Sequence, residues 1–376
     1  MKVAFFIDDI TKDGGTERCT TVLSNLLNCS GLDVSILSIN ASKKRSKYEI
    51  SPNVIVKMFN SQKIENAVSR RMRTFKYLGY EILRGYDVII VVDTYKSLCF
   101  IPFIPFIPFI PFIPFIPLLK KKKTKLISWE HFNYNFGEKH SPRWWGRRVA
   151  ARISDAVVVL SKADYEVWKA DFKLQDRLKQ IYNVPCFVLE RPIFDADCKT
   201  VLAVGRLEEQ KGFDYLLDIW KLIEIDEELN DWKLQIVGSG SLEQKLHEKE
   251  KTLGLNRVQW LQFTEHIEEI YKNASIYVMT SRFEGFALVL LEAKAFGLPI
   301  VSFDIKNGSN EIVQKGVDGY IVSPFDVNML TDKLKMLMKN DIMREQFTKH
   351  FQSNMDQFSK KKIVGNWIQL LEEIIE

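Results

Sequence analysis

The sequence predicts an α/β chain folded as two Rossmann-like domains, each a doubly wound parallel sheet. Three observations predict it. At 376 residues the chain is longer than a single hydrophobic core normally serves. Short apolar runs alternate with helical stretches through both halves, the pattern of a parallel sheet covered by helices on both faces. Glycine-bearing junctions from strand to helix recur at Gly14-Gly15, between Gly205 and Gly212, and at Gly238-Ser239-Gly240. Such junctions bring backbone close to a ligand at the carboxyl edge of a sheet.

Composition sets the outer limits. Apolar residues make up 46% and charged residues 27% of the chain, values of a globular protein and not of a disordered one. The five cysteines, Cys19, Cys29, Cys99, Cys186 and Cys198, form no Cys-x-x-Cys pair, so reduced thiols in a cytosolic setting are expected, with neither a disulfide nor a metal site. Charge is unevenly divided. Residues 1–195 hold 31 basic against 19 acidic residues, and the remainder 22 against 29. Basic clusters at Lys43 to Arg45, Arg70 to Arg73, Lys120 to Lys123 and Arg143 to Arg152 suit an anionic membrane surface. Without a nucleic-acid-binding motif, no nucleic-acid partner is expected.

In chain order, Met1 to Asp8 is a buried-type strand, followed by the loop Asp9 to Gly15 and an amphipathic helix from about Thr16 to Asn28. Further strands are expected at Asp33–Ile39, Val54–Met58, Val88–Val92, Lys125–Trp129, Ala156–Leu160 and Gln180–Asn183. The stretch between Pro185 and Ala196 has no clear period and is expected to be a hinge. Beyond it, strands at Lys199–Val204, Leu234–Val237, Val258–Phe263, Ala274–Met279, Pro299–Asp304 and within Gly316–Pro324 alternate with helices, and a periodic tail follows Lys339. The expected domains are 1–190 and 197–355, with 356–376 as a C-terminal helix.

One segment breaks this order. Phe-Ile-Pro occurs six times from Phe100 to Pro117, using half of the chain's twelve prolines. A proline at every third residue disfavours a membrane-spanning helix by roughly 3 kcal/mol each. Polyproline II has three residues per turn, so the repeat would carry apolar edges next to Lys120 to Lys123. A tolerated tandem duplication in a loop and a flap contacting a membrane are both compatible with it.

The densest chemical signal is Ser281 to Phe296. Glu284-Gly285 forms a polar turn, and the apolar run from Phe286 to Leu291 starts a helix whose first amides have no partner within it. A helix start of this kind attracts an anion. Glu292 lies further into the same helix, so two carboxylates sit at different depths along one elongated ligand. Taken by itself, the spacing also fits a helix cap and an ordinary surface glutamate.

Glu284-Gly-Phe-Ala-Leu-Val-Leu-Leu-Glu292 closely resembles the E-x7-E motif of the retaining glycosyltransferases of family 4, which have the GT-B fold, and in particular those that build bacterial surface polysaccharides. Nearly the whole chain shares the resemblance. It implies a nucleotide-sugar donor, with Glu284 near the sugar hydroxyls, Glu292 on the ribose, and the amides of Phe286, Ala287 and Leu288 facing the sugar and diphosphate. Gly205-Arg-Leu…Lys-Gly212 resembles the family's diphosphate loop and assigns Arg206 and Lys211 to that group. Gly14-Gly-Thr-Glu-Arg18 resembles the loop that lies across from the diphosphate, which assigns Gly14 and Gly15. Trp129-Glu-His-Phe-Asn133 resembles the segment in which a histidine meets the transferred sugar, which assigns His131.

The resemblance implies two domains facing a cleft, the donor held by the second and a glycan or lipid-linked acceptor by the first, at the cytoplasmic face of a membrane. The reaction implied is retaining transfer of a hexose or N-acetylhexosamine, with uridine the expected base. Arg206, Lys211 and the helix start near Leu288 would stabilise the departing diphosphate, so neither a cofactor nor a metal is expected. The competing expectations are a GT-B epimerase acting on the nucleotide sugar without an acceptor, and a membrane-associated scaffold that binds the donor without turning it over.

Overall fold

The computed structural model describes residues 1–60, 67–100, 123–135, 137–185, 194–262, 264, 266–305 and 307–376. The Phe-Ile-Pro repeat after Phe100, Lys120 to Lys122 and residues 186–193 of the expected hinge lie outside the described residues, as do the side chains of Arg70 and Arg71. The chain divides into two compact units, Met1–Val184 together with Lys360–Glu376, and Pro185–Ser359.

The first unit is a seven-stranded, all-parallel sheet. Its strands are β1 (Lys2–Ile7), β2 (Asp33–Asn40), β3 (Ile55–Asn60), β4 (Val88–Val92), β5 (Lys125–Trp129), β6 (Ala156–Val159) and β7 (Leu178–Gln180), in the order β3-β2-β1-β4-β5-β6-β7. Every residue of β4 is buried, as expected of a strand covered on both faces. Its helices are α1 (Gly15–Cys29), α2 (Ala67–Arg84), α3 (Pro142–Ile153) and α4 (Lys162–Asp171). Strand order reverses between β1 and β4, and ligands of such sheets bind outside the carboxyl ends at that reversal. Helix α3 starts at Ser141, whose Oγ accepts from the Trp144 amide, and Pro142 occupies its first turn, where a missing N–H costs nothing. Gly146 lets α3 lie flush on the loop after β4, since a Cβ there would sit 2.5 Å from Tyr95 Cα. The last strand runs Leu178–Gln180 and not Gln180–Asn183, because Leu178 pairs with Val157 and packs into the cluster around Trp168.

The second unit repeats the plan with six parallel strands: β8 (Thr200–Val204), β9 (Lys233–Val237), β10 (Val258–Leu261), β11 (Ile276–Met279), β12 (Ile300–Phe303) and β13 (Gly319–Val322). Their order is β10-β9-β8-β11-β12-β13, so the reversal falls between β8 and β11. The helices are α5 (Phe213–Glu224), α6 (Glu243–Leu253), α7 (Ile267–Lys272), α8 (Leu288–Ala295), α9 (Ser309–Ile312), α10 (Val327–Met338) and α11 (Asp341–Lys349). Leu216, Ile219, Trp220 and Ile223 recur at helical spacing along α5 and pack with Ile236, Val278 and Leu334 in one buried cluster, the face that a 3.6-residue period produces.

Helix α12 (Lys360–Ile375) belongs to the first unit. Its Trp367 meets Trp129 of β5 edge to face at 5.2 Å, and its Glu373 accepts from Lys179 of β7 at 2.9 Å.

Two glycines with the same backbone angle separate conformational strain from close packing. Gly212 and Gly254 both have φ +64°, but a Cβ at Gly212 would stand 2.1 Å from Thr280 O whereas Gly254 has open space around it. Gly254→Ala is expected to cost about 1 kcal/mol from the left-handed conformation alone. Gly212→Ala is expected to exceed about 2 kcal/mol because backbone must also move. Urea unfolding midpoints measure both; equal losses would mean that the Gly212–Thr280 approach is not tight.

Candidate functional site

In the second unit Gln210, Lys211, Ser281 and Glu284 meet at the carboxyl ends of β8 and β11, the two strands at the reversal. Glu284 is 7% exposed and its carboxylate receives three side-chain donors. Lys211 Nζ donates to Oε1 at 2.7 Å, Ser281 Oγ to the same oxygen at 2.7 Å, and Gln210 Nε2 to Oε2 at 3.1 Å. Gln210 Nε2 also reaches Phe283 O at 3.0 Å. A buried carboxylate must be paired and hydrogen-bonded to remain ionised, and these contacts supply both.

The two loops are joined again further out. Arg282 makes a bidentate pair with Asp214 at 2.8 and 2.7 Å, donates to Glu209 O, and stacks over the Tyr215 ring. Planar two-point pairing of this kind fixes orientation as well as charge. The Arg282 amide donates to Gln210 O at 2.7 Å. Sequence reasoning named Lys211 and Glu284 but missed Gln210, Ser281 and the Arg282–Asp214 pair. The available signal was that each stands within four residues of a residue that was named.

Arg206 is exposed at the tip of its loop. That loop is bonded to the next junction: the Gly205 amide donates to Val237 O, the Leu207 amide to Ser239 O, and the Leu242 amide to Leu207 O. Gly238 and Gly240 permit this, because a Cβ at either would fall 1.9 Å from Gly205 O or 2.4 Å from Leu207 O. Glu208 accepts from Ser241 Oγ and amide, which holds its carboxyl below the usual range.

Helix α8 begins in a tight turn. The Leu288 amide donates to Phe286 O and the Leu290 amide to Ala287 O, each at 2.9 Å, so an anion at this helix start would compete with Phe286 O for the Leu288 amide. Ala287 and Phe286 are buried, and Gly308 approaches them so closely that a Cβ would stand 3.3 Å from the Ala287 amide nitrogen. Glu292 is buried, with Tyr271 Oη donating to its Oε2 at 3.0 Å. Burial, with the Glu292 charge, pushes the nearby Tyr277 hydroxyl well above its ordinary range. Two residues on, Lys294 Nζ is buried against Asp318 at 2.5 Å and Ile312 O at 2.9 Å, which ties α8 to the turn before β13.

In the first unit, Gly14 and Gly15 open α1 beyond the carboxyl end of β1. A Cβ on Gly14 would strike the Glu17 carboxylate at 2.2 Å, while Gly15 has open space. Burial raises the Glu17 carboxyl. Burial alone would raise Asp8 too, but Lys96 and Lys12 outweigh it and hold it at about 2.

His131 follows β5 and is buried with its ring 4.2 Å from that of Trp129. Its Nε2 has no hydrogen-bond partner. Burial, with the Arg143 charge adding, holds its pKa down at about 3, so it is a neutral imidazole at ordinary pH. The neighbouring Glu130 accepts from Thr94 Oγ1 at 2.5 Å and Arg147 Nε at 2.9 Å. Arg143 pairs with Asp93 at 2.8 Å and lies over the Phe132 ring. Burial and then Glu130 raise Asp93 to about 6. Arg147 also donates to the carbonyls of Asn133 and Tyr134. The whole segment around His131 is therefore clamped by two arginines of α3. Among the described residues, no three His, Cys, Asp or Glu side chains gather as metal ligands.

Residues 190–353, which contain every second-unit residue named above, match the family described as Glycosyl transferases group 1. Along its full length the chain is similar to enzymes of that class. It is 28% identical to the amylovoran biosynthesis glycosyltransferase AmsD of Erwinia amylovora, over 98% of this chain and 99% of that protein. It is 27% identical, over 100% and 99%, to an α-1,4-N-acetyl-D-galactosaminyltransferase of Campylobacter jejuni that acts on a diphospho-undecaprenol-linked glycan. Among solved structures, Anabaena HepE in complex with UDP and glucose superposes with a TM-score of 0.77 at 18% identity, covering 98% of this chain and 99% of that one. The architecture is that of the GT-B glycosyltransferases.

Stability should report the neutral imidazole. The unfolded chain takes up a proton at His131 below about pH 6.5 while the folded chain does not, so His131 works against folding increasingly as pH falls from about 6.5 towards 3. His131→Leu should flatten the stability loss in that window by up to about 1.4 kcal/mol per pH unit. Urea unfolding of both proteins between pH 7 and 5 checks this; parallel curves would mean that His131 titrates normally in the fold.

Proposed function

We propose that the chain is a retaining glycosyltransferase that moves a hexose or N-acetylhexosamine from a uridine diphosphate sugar to a glycan or lipid-linked acceptor during cell-surface polysaccharide synthesis. The observation that carries the reading is the Glu284 carboxylate held by Lys211, Gln210 and Ser281 beside the start of α8. In this assignment Glu284 receives hydroxyls of the donor sugar. Arg206 and Lys211 take the diphosphate, with the α8 start adding its dipole, and stabilise the charge that develops as the bond to the anomeric carbon breaks. Lys211 then exchanges part of its contact with Glu284 for phosphate oxygens. Glu292 is assigned to the ribose, which requires its buried carboxylate to turn from Tyr271. His131 contributes a neutral imidazole on the acceptor-side unit. The lipid-linked acceptor of the Campylobacter relative and the UDP bound by the Anabaena structure support the choice of acceptor and donor class.

Turnover tests the assignment. Arg206→Ala and Lys211→Ala should each lower it by about 10²-fold or more, as loss of a preorganised charge-stabilising group does. Arg206 is exposed, so its variant should melt with the parent protein. Near-normal turnover in both would put the diphosphate elsewhere. Product analysis separates the epimerase alternative, which yields an epimer and no transferred sugar.

Two cations and a helix start do here what Mg²⁺ does in other nucleotide-sugar enzymes. Activity should therefore persist in excess EDTA. Abolition by chelator, with recovery on adding Mg²⁺ or Mn²⁺, would contradict the assignment.

A further inference from the structure

Four carboxylates directly follow the central strands of the first sheet: Asp8 and Asp9 after β1, Asp93 after β4 and Glu130 after β5. Three of them have both oxygens engaged. Asp8 takes Asn40 Nδ2 and Lys96 on Oδ1 and Lys12 on Oδ2. Asp9 takes the Thr11 amide and hydroxyl on Oδ1 and the Ser42 amide on Oδ2. Glu130 takes the Phe132 amide on Oε1, and Thr94 Oγ1 and Arg147 Nε on Oε2.

Asp93 differs. Both of its donors, the Tyr95 amide at 3.2 Å and Arg143 at 2.8 Å, reach Oδ1, and among the described residues none donates to Oδ2. Its side chain is 12% exposed against 1% for Glu130, so the edge is open to solvent at this residue. Its backbone is left-handed, with φ +71°, held there by its amide on Trp129 O and by the Lys96 amide on its own carbonyl. Side chains enter that conformation at a cost, and such strain gathers at binding and catalytic sites.

Charge at this edge narrows the ligand. Arg143 faces Asp93 at 2.8 Å and Glu130 at 3.6 Å, Arg147 faces Glu130, and Lys12 and Lys96 face Asp8. These four cations meet four carboxylates, which leaves no surplus positive charge for a phosphate. What remains open is hydrogen bonding. Besides Asp93 Oδ2 there is Nε2 of the buried His131, which has no partner and lies close enough to Arg143 for that charge to lower its pKa. An anionic acceptor oxygen beside a neutral imidazole suits hydroxyl groups.

We propose that Asp93 Oδ2 accepts a hydrogen bond from a hydroxyl of the acceptor, and so orients the sugar or polyol that receives the transferred residue. The proposal rests on the glycosyltransferase reading above and adds the group the acceptor presents there, a neutral hydroxyl and not a phosphate. Burial and Glu130, opposed by Arg143 and Lys96, put the Asp93 carboxyl at about 6. It is mostly ionised at pH 7, and the charge that makes it a strong acceptor is lost as pH falls through about 6.

Transfer by the full chain tests this, with UDP-glucose, UDP-galactose and their N-acetylhexosamine counterparts as donors and octyl α-glycosides of the same four sugars as acceptor probes. Asp93→Asn keeps the shape and tolerates the left-handed backbone. Its amide oxygen stays with Arg143 and the Tyr95 amide, which puts NH₂ where Oδ2 was. For the fastest pair, kcat/KM for the glycoside should fall by about tenfold or more, while UDP binding measured by calorimetry stays that of the parent. In the parent, kcat/KM for the glycoside should drop between pH 7 and 5 with a midpoint near 6, and the variant should lack that limb, which a merely structural role would not remove. If thermal melts show the variant unfolding early, saturation-transfer NMR of the glycoside on the parent decides, with several-fold weaker signal expected at pH 5 than at pH 7. Parental kcat/KM in the variant, an acidic limb unchanged in it, or glycoside binding that is absent or equal at the two pH values would each overturn the role of Asp93 and leave the transferase reading standing. A parent that neither binds UDP nor moves any of the four sugars to a glycoside or to water would overturn that reading, and this one with it.

Discussion

The second unit depends on one buried carboxylate. Glu284 cannot stay ionised out of water unless it is paired, and its three donors come from the loops after β8 and β11, which are neighbours only because the strand order reverses there. The carboxylate thus fixes the loops to each other, and the loops fix Lys211. Gly212 makes the approach possible by having no side chain where Thr280 O passes. The Arg282–Asp214 pair repeats the connection nearer solvent. In the proposed assignment Lys211 is placed before the diphosphate arrives, and the contact that places it also pairs the buried Glu284.

The first unit solves a related problem with opposite signs in excess. Arg143 and Arg147 reach from α3 to the ends of β4 and β5, where Asp93 and Glu130 receive them. The cations neutralise buried carboxylates and fix the backbone of Asn133 and Tyr134, and Arg143 also discourages any charge on His131. The imidazole is consequently a hydrogen-bonding group of constant charge, and not a proton carrier at neutral pH.

Much of this was legible in the sequence. Parallel strands buried on both faces give unbroken apolar runs such as Val88 to Val92, and glycines mark the junctions between strand and helix, so both sheets could be anticipated. Glu284, Glu292, Arg206 and Lys211 were singled out because a motif fixes their spacing. Gln210, Ser281 and Tyr271 were not, since a polar residue beside a motif looks the same in sequence whether it faces water or a buried carboxylate. Glu292 was expected on the ribose; its burial with Tyr271 on its carboxylate is a tertiary effect that helical spacing cannot reveal. The end of the first sheet was misplaced by two residues because Leu178 and Ile181 both read as strand, and only the pairing with Val157 decides between them.

The central claim is that the loops after β8 and β11, with the start of α8, form a diphosphate site built around Glu284. A crystal structure of the full chain with a uridine diphosphate sugar tests it most directly. The account predicts the diphosphate within hydrogen-bonding distance of Arg206 and Lys211, with the sugar hydroxyls on Glu284. A nucleotide bound away from those residues, with the Lys211–Glu284 contact unchanged, would contradict it.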